Sequence, residues 1–577
     1  MAPVFKMTLT IQSPKRALVL DADLVPALAI TRSLHRYGLT VDVASATAYS
    51  IAGYSSATHT SFRYPDPLTE EANFIAWLAD RIGAGAYSLV IPVTERTLVP
   101  IASHRARFGA TQLAIASDSA LAAALDKSST LDLAHALGIP APRTTAIEHI
   151  DQLDAHAAEF EFPIVIKPAR SFGARNNQRT QLSVDYAFNA NELRAKTTHA
   201  LRYGSVLLQE YVGGQGVGIE LIADQGKIVY AFQHLRLHEV PLSGGGSSLR
   251  KSVAIDPALL AASAKLMTAL AWHGVAMVEF KRDPASGTFS LMEINGRFWG
   301  SLPLAIAAGA DFPAMLYELM LEGAVRPRPA ARLGVYGRHL ARDLYWAELV
   351  LRREGPAKLV SFPSRRQILR DALLILSPRH YFDAQQWRDL KPGLVDAWRI
   401  VRAQVERGVQ LVAQRRLAHR LHKAWRSGAV ARQLGSARQV LFLCYGNINR
   451  SALAERCFKE RLTGMQFACS SAGFHEEEKR PADPGIIAAA QKLGIDMNNW
   501  TSRRVDRAMI DTAELIFVME YQHYRRIAEQ YPEAQTRTFL LSPCGEIADP
   551  YGKSPEAYEH CAREIVKCIE NIEATKT

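Results

Sequence analysis

Apolar and polar stretches alternate along the first 120 residues in the order of an open parallel sheet. The apolar run ALVL, which ends at Leu20, is followed by leucines at helical spacing between Leu24 and Tyr37 and then by a second apolar run, LTVDV. The runs YSLVIPV and LAIAS continue the alternation near residues 90 and 115. This strand–helix–strand order predicts an α/β domain with an open sheet over residues 1–125.

Residues 126–324 show a second pattern, in which longer apolar strands are mixed with helices. This mixture predicts an α+β domain. A new apolar strand, VLFLC, opens residues 438–577, and the chain that follows has the length and alternation of a complete small α/β domain. The predicted fold is therefore a multidomain protein of α/β and α+β domains.

Residues 325–437 are rich in arginine, and six prolines interrupt their helical stretches. This pattern predicts a basic helical linker. Within it, apolar side chains three or four residues apart define an apolar stripe on one helix. The simplest interpretation packs this stripe on a neighbouring domain; an anionic membrane surface and a nucleic acid are the alternatives. The apolar stripe consists of Leu394, Trp398, Val401, Val405, Val409 and Val412.

Composition and charge narrow the protein class. Of 577 residues 48% are apolar and 22% charged, as in folded domains. No apolar run approaches the roughly 20 residues that span a bilayer, and the first 16 residues lack a signal-peptide core, so a cytoplasmic protein is expected. Residues 325–438 carry 24 basic and 8 acidic side chains, so the rest of the +11 chain sums to −5. This distribution argues against a general nucleic-acid binder, whereas the basic linker would suit peripheral contact with the inner face of the membrane.

The chemistry of the C-terminal region centres on the loop CYGNINRS. All six cysteines lie in the last 134 residues, and free thiols are expected in a reducing compartment. The loop joins a strand that ends at Cys444 to a helix predicted over Ala452–Leu462. Backbone N–H groups at such a helix start bind a phosphate, and Arg450 adds a bidentate fork. The positive end of the helix also stabilises a thiolate at Cys444, and this thiolate can attack phosphorus.

Three further motifs follow the loop: SAG at 471–473, LIFVME at 515–520 and ADPYG at 548–552. In this order, the motifs resemble a low-molecular-weight protein tyrosine phosphatase from Val440 to the C-terminus. The resemblance implies a four-stranded parallel sheet and a phosphocysteine intermediate. Arsenate reductases share this fold and are an alternative. The implied roles are Cys444 as nucleophile, Arg450 as phosphate clamp, Ser451 as hydrogen-bond partner of the leaving thiolate, Asn447 as loop support, Asp549 as general acid and base, and Tyr551 as part of an aromatic wall.

Two departures from the usual pattern concern the cysteines. Asn449 stands where many members of the family carry a second loop cysteine that can form a protective disulfide. Oxidation of the nucleophile would then be harder to reverse. The other five cysteines lack metal-ligand spacing, so we expect them to pack in the domain core.

Charged residues on strands of residues 126–324 predict a nucleotide site without a Walker loop. Lys127 begins a helix and Lys167 lies in the strand FPIVIKP, so both can meet phosphates as point charges. Glu279, Glu293 and Asn295 lie on two consecutive strands, and their oxygens suit Mg²⁺. The sequence therefore predicts a site for a nucleotide and a magnesium ion.

This ordered set resembles the ATP-grasp superfamily of carboxylate-amine and carboxylate-thiol ligases, across about residues 16–323. The resemblance implies ATP and Mg²⁺ as cofactors and an acyl phosphate that an amine or another nucleophile displaces. Val217 replaces the acidic residue that many relatives use for ribose, and Glu220 is a candidate substitute. The glycine-rich loop Ser243–Ser252 is either a mobile connection or a lid over the substrate. The implied roles are Lys127 and Lys167 for the ATP phosphates, Glu210 and Val212 for the adenine edge, Glu279, Glu293 and Asn295 for magnesium, and Arg297 for the acyl phosphate.

Together the two resemblances predict a bifunctional enzyme, an ATP-dependent ligase joined to a protein tyrosine phosphatase. Its partners would be a small carboxylate, a nucleophile and a phosphotyrosine protein, for which a bacterial tyrosine kinase of polysaccharide export is a candidate by analogy. Two alternatives stay open. The ATP-grasp half could sense a nucleotide or metabolite and regulate the phosphatase, or it could be a small-molecule kinase.

Overall fold

The computed structural model describes residues 15–169, 172–175, 178–356, 359–461 and 468–574, without the side chains of 172–175 and 178–181. The N-terminal start of the chain and Leu462, the predicted end of the helix after the CYGNINRS loop, therefore lie outside the described residues. The chain forms two compact units, and the boundary between them falls between Val401 and Arg402. Each unit is described separately below.

A five-stranded sheet opens the first unit, in the order β3-β2-β1-β4-β5. All four pairings are parallel, which requires the crossover helices that the sequence predicts between strands. The apolar run of β1 is fully buried, as a strand covered on both faces should be. The predicted open sheet is confirmed. Its elements are β1 (Arg16–Val19), α1 (Val25–Arg36), β2 (Thr40–Ser45), β3 (Thr60–Arg63), α2 (Glu71–Gly85), β4 (Leu89–Ile91), α3 (Glu95–Ser103), β5 (Gln112–Leu113) and α4 (Asp118–Leu125).

The α+β part of the first unit contains two larger sheets and a hairpin. A four-stranded sheet has the order β10-β7-β11-β6, and a seven-stranded sheet has the order β16-β15-β12-β13-β14-β17-β18. The elements up to β16 are α5 (Lys127–Ala136), β6 (Thr144–Ile147), α6 (Leu153–Ala157), β7 (Ile164–Pro168), β8 (Phe172–Arg175), β9 (Gln178–Gln181), β10 (Asp185–Ala187), α7 (Ala190–Ala200), β11 (Val206–Glu210), β12 (Gln215–Asp224), β13 (Lys227–Val240), β14 (Gly246–Val253), α8 (Pro257–Ala269), β15 (Gly274–Arg282) and β16 (Phe289–Asn295).

The segment predicted as a linker supplies the last two strands of the seven-stranded sheet. Strand β17 pairs antiparallel with β14, and β18 pairs parallel with β17. Each strand is three residues long, too short to show the alternation that marks a strand in a sequence. The elements after β16 are α9 (Leu302–Ala308), α10 (Phe312–Tyr317), β17 (Tyr336–Arg338), α11 (Leu340–Arg352), α12 (Arg365–Leu373), β18 (His380–Phe382) and α13 (Leu390–Arg426). The unit boundary falls inside α13.

Buried charges fasten this segment to the sheet. Arg338 on β17 donates hydrogen bonds to the carboxylate of Asp343 and to the carbonyl oxygen of Asp371. Arg250 on β14 is 1% exposed and donates to Asp383, which is 2% exposed. A buried ion that loses its partner destabilises a fold strongly. Residues as far as Asp383 therefore belong structurally to the domain before them.

The apolar stripe on α13 does not show the expected packing. Its six side chains are between 48% and 66% exposed. Beyond the stripe the same helix does pack: Leu421 is 2% exposed and joins the core of the second unit, and the indole of Trp425 donates to the carbonyl oxygen of Leu540 over 3.0 Å. The basic segment is thus divided between the two units rather than forming one free linker.

The second unit is a small α/β domain around a four-stranded parallel sheet of order β20-β19-β21-β22, as predicted. Apolar strands and helices cover both faces of this sheet in a single core. Its elements after α13 are α14 (Ala429–Ser436), β19 (Gln439–Cys444), α15 (Arg450–Arg461), β20 (Ala468–Gly473), α16 (Pro484–Gln491), α17 (Arg507–Thr512), β21 (Leu515–Val518), α18 (Tyr521–Gln530), β22 (Thr538–Leu540) and α19 (Pro555–Ala574).

Within the described part of the chain, no single helix combines the length and hydrophobicity needed to span a bilayer. One sharply bent pair, Leu302–Ala308 with Phe312–Glu322, meets that criterion only when both helices are taken together.

Candidate functional sites

The first candidate site is the loop between β19 and α15. Cys444 ends the strand and is 2% exposed. Its Sγ lies 3.0 Å from Oγ of Ser451 and accepts a hydrogen bond from the backbone N–H of Asn447 over 3.2 Å. The backbone N–H of Asn447 donates toward the sulfur, and the Ser451 hydroxyl can be either donor or acceptor in its contact. The loop thus brings three of the predicted residues together.

Asn447 holds the loop in an unusual conformation. Its φ is +53°, a left-handed value that asparagine adopts more readily than most residues. Its side-chain amide donates to Ser451 over 2.9 Å and to Ser471 over 2.8 Å. A Cβ on Gly473 would lie 2.7 Å from the carbonyl oxygen of Tyr445, so the SAG motif needs glycine for the close approach of the loop.

Arg450 and Asp549 form an ion pair beside the loop. One guanidinium nitrogen of Arg450 lies 2.6 Å from the Asp549 carboxylate, and the other lies 3.0 Å from Glu520 and 2.8 Å from the carbonyl oxygen of Ile547. Burial opposes the charge of Arg450, but the charges of Cys444, Asp549 and Glu520 outweigh it and raise its pKa. The guanidinium is therefore held charged and oriented in a nearly buried position.

Two residues of this site were missed in the sequence. Glu520 ends the apolar motif LIFVME, and a charge directly after a buried strand is the signal that could have identified it as a partner of Arg450. Tyr445 follows the cysteine and is 47% exposed, and Tyr551 is 58% exposed. Exposed aromatic rings beside a buried polar loop suit recognition of an aromatic group.

The remaining thiols differ from Cys444. Within the described residues every cysteine is free. Burial raises the pKa of Cys457 to about 11 and those of Cys469, Cys561 and Cys568 to about 12. These four thiols stay protonated near neutral pH, as packed side chains do. Cys544 is exposed, so the expectation that all five cysteines pack in the core is wrong for this residue.

The second candidate site lies on β15 and β16. The two strands place Glu279 directly opposite Glu293, and the amide of Asn295 donates to both carboxylates over 3.0 and 3.1 Å. Opposed carboxylates repel unless a cation lies near them, and here a guanidinium nitrogen of Arg236 lies 2.5 Å from the carboxylate of Glu279. Two carboxylates and an amide are the oxygen-rich set that magnesium prefers, so these residues fit that ion. The predicted magnesium ligands are thus adjacent.

Two lysines act on this carboxylate pair. Lys167 on β7 is 7% exposed, and its Nζ donates to the carbonyl oxygen of Met292 over 3.3 Å. Burial lowers the pKa of Lys167, Glu293 opposes this, and the charge of Lys127 lowers it further. Burial would raise the pKa of Glu293, yet Lys167 and Lys127 keep it low. The predicted phosphate-binding lysines and magnesium ligands therefore share one electrostatic field.

A cavity of about 540 Å³ opens beside these residues. Tyr211 of the α+β region lines it together with residues of the N-terminal α/β region, including Thr94. Lys127 is not among the described lining residues. The predicted residues that line the cavity are Lys167, Glu210, Val212, Glu279, Glu293, Asn295 and Arg297.

One end of the cavity is basic, and the sequence revealed only part of it. Arg250 and Arg342 both line this end, Arg342 from the segment predicted as a linker. Burial and then the charge of Arg250 lower the pKa of Arg342, while Arg250 itself is paired with Asp383. The glycine-rich loop is partly strand β14, and its residues Gly244–Ser247 also line the cavity.

Glu220, the candidate for ribose, and two histidines of β13 have structural partners. His234 is 1% exposed and lies 2.9 Å from Glu220, which is fully buried and also accepts a hydrogen bond from Ser301. A fully buried Glu220 is a poor candidate for ribose. His238 stacks on Trp346 with a ring separation of 3.3 Å and contacts Asp343.

Comparison with known proteins separates the two sites into two families. The family model for low molecular weight phosphotyrosine protein phosphatases matches residues 439–575, and the model described as "ATP-grasp in the biosynthetic pathway with Ter operon" matches residues 202–341. The low molecular weight protein-tyrosine-phosphatase Etp of Escherichia coli K12 is 35% identical over 124 residues, which are 21% of this chain and 82% of Etp. The chain joins an ATP-grasp domain to a low molecular weight protein-tyrosine-phosphatase domain. Both families predicted from the motifs are confirmed, and both are families of enzymes.

Two solved structures are similar to parts of the chain. Wzb of Vibrio vulnificus, solved with benzylphosphonate, is 31% identical and covers 24% of this chain and 97% of its own, with a TM-score of 0.23. An L-amino acid ligase from Bacillus licheniformis is 17% identical and covers 55% of this chain and 78% of its own, with a TM-score of 0.43.

The phosphatase domain contains a buried histidine that should make it sensitive to acid. His523 is 1% exposed, and burial, with a further contribution from Arg450, lowers its pKa to about 3. Glu520, Asp549 and Arg526 also face it. The unfolded chain binds a proton at His523 below about pH 6.5 while the folded domain does not, so the free energy of unfolding falls as the pH drops from 6.5 toward 3.

We expect His523 alone to remove about 2 kcal/mol of stability between pH 6.5 and pH 5. The measurement is the midpoint of thermal inactivation of p-nitrophenyl phosphate hydrolysis at both pH values. His523→Gln should flatten this pH dependence. His560→Gln, at a side chain that is 77% exposed, is the matched control and should leave it unchanged. Equal pH dependence in His523→Gln and the wild type would contradict the assignment.

Proposed function

We propose that the protein is a bifunctional enzyme. Its ATP-grasp domain would use ATP to activate a small carboxylate for attack by an amine or another nucleophile, and its phosphatase domain would hydrolyse phosphotyrosine in a protein. The observation that supports the proposal best is that each domain brings three of its predicted site residues into contact. Cys444, Ser451 and Asn447 are in contact, and Glu279, Glu293 and Asn295 are in contact.

In the phosphatase domain, the thiolate of Cys444 would attack the phosphorus of the substrate. An S–P bond forms, the P–O bond to the phenol breaks, and Asp549 donates a proton to the departing oxygen. Arg450 would clamp the phosphoryl oxygens as charge develops on them. Asp549 then takes a proton from water, which attacks phosphorus and releases phosphate and the thiolate. Ser451 stabilises that thiolate by its hydrogen bond to Sγ.

The role of Asp549 predicts a dependence on the leaving group. Asp549→Ala should lower kcat for phenyl phosphate by about 10²–10³-fold, because phenolate leaves poorly without a proton. The loss should be much smaller for p-nitrophenyl phosphate, whose leaving group needs little protonation. Steady-state kinetics with both substrates measure the ratio, and Asp511→Ala, at an exposed surface carboxylate, is the matched control. An equal loss with both substrates would show that Asp549 is not the general acid.

In the ATP-grasp domain, the described residues would position ATP and the carboxylate. Lys167 and Lys127 would hold the phosphates, and Glu210 and Val212 would contact the adenine edge. Glu279, Glu293 and Asn295 would hold magnesium, which supplies charge neutralisation at the phosphates when bound. Arg297 would stabilise the acyl phosphate. Together these groups orient the reactants, so that the nucleophile would meet the activated carboxyl group in a site from which water is excluded.

The basic end of the cavity supports an acidic substrate. Arg342 and Arg250 both line the cavity, and because Arg250 is already paired with Asp383, Arg342 is the cation better placed to meet an anionic substrate. The substrate carboxylate would occupy this position, facing Arg297. The phosphoprotein target would present phosphotyrosine to the exposed rings of Tyr445 and Tyr551, and a bacterial tyrosine kinase of polysaccharide export is the candidate that the family resemblance suggests.

The deciding experiment measures ADP release by Cys444→Ser protein with magnesium and ATP. This variant prevents the phosphatase domain from hydrolysing phosphorylated products. Pooled amino acids and small carboxylates are added, and mass spectrometry identifies the products. We expect ADP only when a carboxylate and a nucleophile are both present, together with a condensed product. ADP release with one acceptor alone would indicate a kinase, and ATP binding without release under any condition would indicate a sensor.

A further inference from the structure

The apolar stripe on α13 is largely exposed, and none of its six side chains belongs to a hydrophobic core cluster of the described residues. Helices of folded proteins normally turn such a stripe toward a core. Here Leu394, Trp398 and Val409 are 66%, 65% and 63% exposed, and the other three members are at least 48% exposed. Exposed apolar surface of this extent marks an interaction site.

The spacing of the stripe suits a flat surface. Its intervals are four, three, four, four and three residues, which keep the six side chains on a face about 100° wide along about 27 Å of straight helix. A left-handed coiled coil needs intervals that alternate between three and four. The consecutive intervals of four at Val401, Val405 and Val409 break that alternation, which argues against a simple pairing with the same helix of a second copy.

The charge of the helix is complementary to an anionic surface. Between Leu390 and Arg426 the chain has nine lysine and arginine side chains and only two acidic ones. Arginine and lysine can extend along an apolar helix to place their charges at the level of lipid headgroups. Trp398, inside the stripe, has the amphipathic ring that is typical of membrane–water interfaces.

Exposed apolar side chains and positive charge coincide throughout this part of the chain. Of the 25 large apolar side chains that are exposed among the described residues, 17 lie between Leu344 and Val412, within the segment that carries the local excess of 16 positive charges. Leu376 is 79% exposed and Trp387 is 92% exposed. A nucleic-acid backbone would use the charges but not the apolar groups, whereas a bilayer surface uses both.

We propose that α13 docks on an anionic lipid bilayer, with the apolar stripe at the boundary between headgroups and acyl chains and the flanking cations against the headgroups. This interaction does not depend on either proposed enzymatic activity. It would place both domains at the membrane surface without any segment crossing it, and its strength should fall with salt because the cations contribute to it.

The test is sedimentation of the full-length protein with vesicles. We expect binding to vesicles of phosphatidylcholine mixed with phosphatidylglycerol, and little binding to phosphatidylcholine alone. Trp398→Glu with Val405→Glu should weaken binding by at least about tenfold, because two apolar contacts are lost. Gln410→Glu with Gln414→Glu adds the same charge outside the stripe and is the matched control. Hydrolysis of p-nitrophenyl phosphate checks that each variant is folded, because none of the four substituted residues belongs to the phosphatase site.

Four outcomes would overturn the proposal. The first is an absence of binding to phosphatidylglycerol vesicles by the wild type. The second is an equal loss of binding in the stripe variant and its control, which would leave only a non-specific charge effect. The third is analytical ultracentrifugation that shows dimers dissociated by the stripe substitutions without any vesicle binding, which would assign the stripe to a second copy. Duplex DNA binding that survives the stripe substitutions would assign the cations to nucleic acid.

Discussion

Replacing Cys444 by serine should abolish the phosphatase activity. The thiol lies at the centre of the loop, within hydrogen-bond distance of Ser451 and of the Asn447 amide, and a serine hydroxyl at that position is a far weaker nucleophile than a thiolate. We expect kcat for p-nitrophenyl phosphate to fall by more than about 10⁴-fold. Because serine fills nearly the same volume in the same contacts, the domain should stay folded.

Cys544→Ser is the matched control for this change, since Cys544 is an exposed free thiol outside the loop. Its activity should equal that of the wild type. Mass spectrometry of the wild type quenched during turnover should detect a phosphate on the peptide that contains Cys444, and the Cys444→Ser variant should lack it. Undiminished turnover by Cys444→Ser would refute the assignment of the nucleophile.

Lys167→Met should cause the largest loss of ADP release by the ATP-grasp domain. Lys167 is buried beside Glu293, and in the proposed function its charge would meet the ATP phosphates. Methionine keeps the apolar length of the side chain and removes the charge. We expect substrate-dependent ADP release to fall by about 10²–10³-fold, with phosphatase kinetics unchanged.

Lys227→Met supplies the control, because Lys227 is exposed at the start of β13. It should retain full ADP release. Equal ADP release by Lys167→Met and Lys227→Met would show that Lys167 does not bind the phosphates. A loss of phosphatase activity in Lys167→Met would instead indicate a general folding defect.

The sequence predicted best those features that local patterns determine. The βαβ alternation predicted the first sheet, and the pattern of a strand followed directly by a helix predicted the loop at Cys444. The proximity of Glu279, Glu293 and Asn295 also follows from two adjacent strands. These features could be predicted because each depends on a short stretch of chain with a strong period or a fixed order of residues.

Features that depend on distant contacts could not be predicted in this way. Strand β17 forms because it can pair with the edge of β14, and β18 then pairs with β17. A stretch of three residues gives no sign in the sequence that such an edge is available. The position of Arg342 in the cavity depends on the same pairing. Glu220 was a candidate for ribose by its place in the chain, and only the fold shows that it is buried against His234. The packing assumed for the apolar stripe failed for the same reason, since a periodic face says nothing about its partner.

The pairing of β14 with β17 bears on how the two activities can be separated experimentally. A fragment that stops at Gly323, where the helical pattern suggests a natural end, would lack both added strands. It would leave the backbone of β14 open to other chains and the buried Arg250 without Asp383, which together favour aggregation and unfolding. Insolubility of such a fragment would then report on a misplaced cut rather than on an unstable enzyme. A fragment that continues through β18 keeps these partners and is the smaller piece in which ligase activity can fairly be sought.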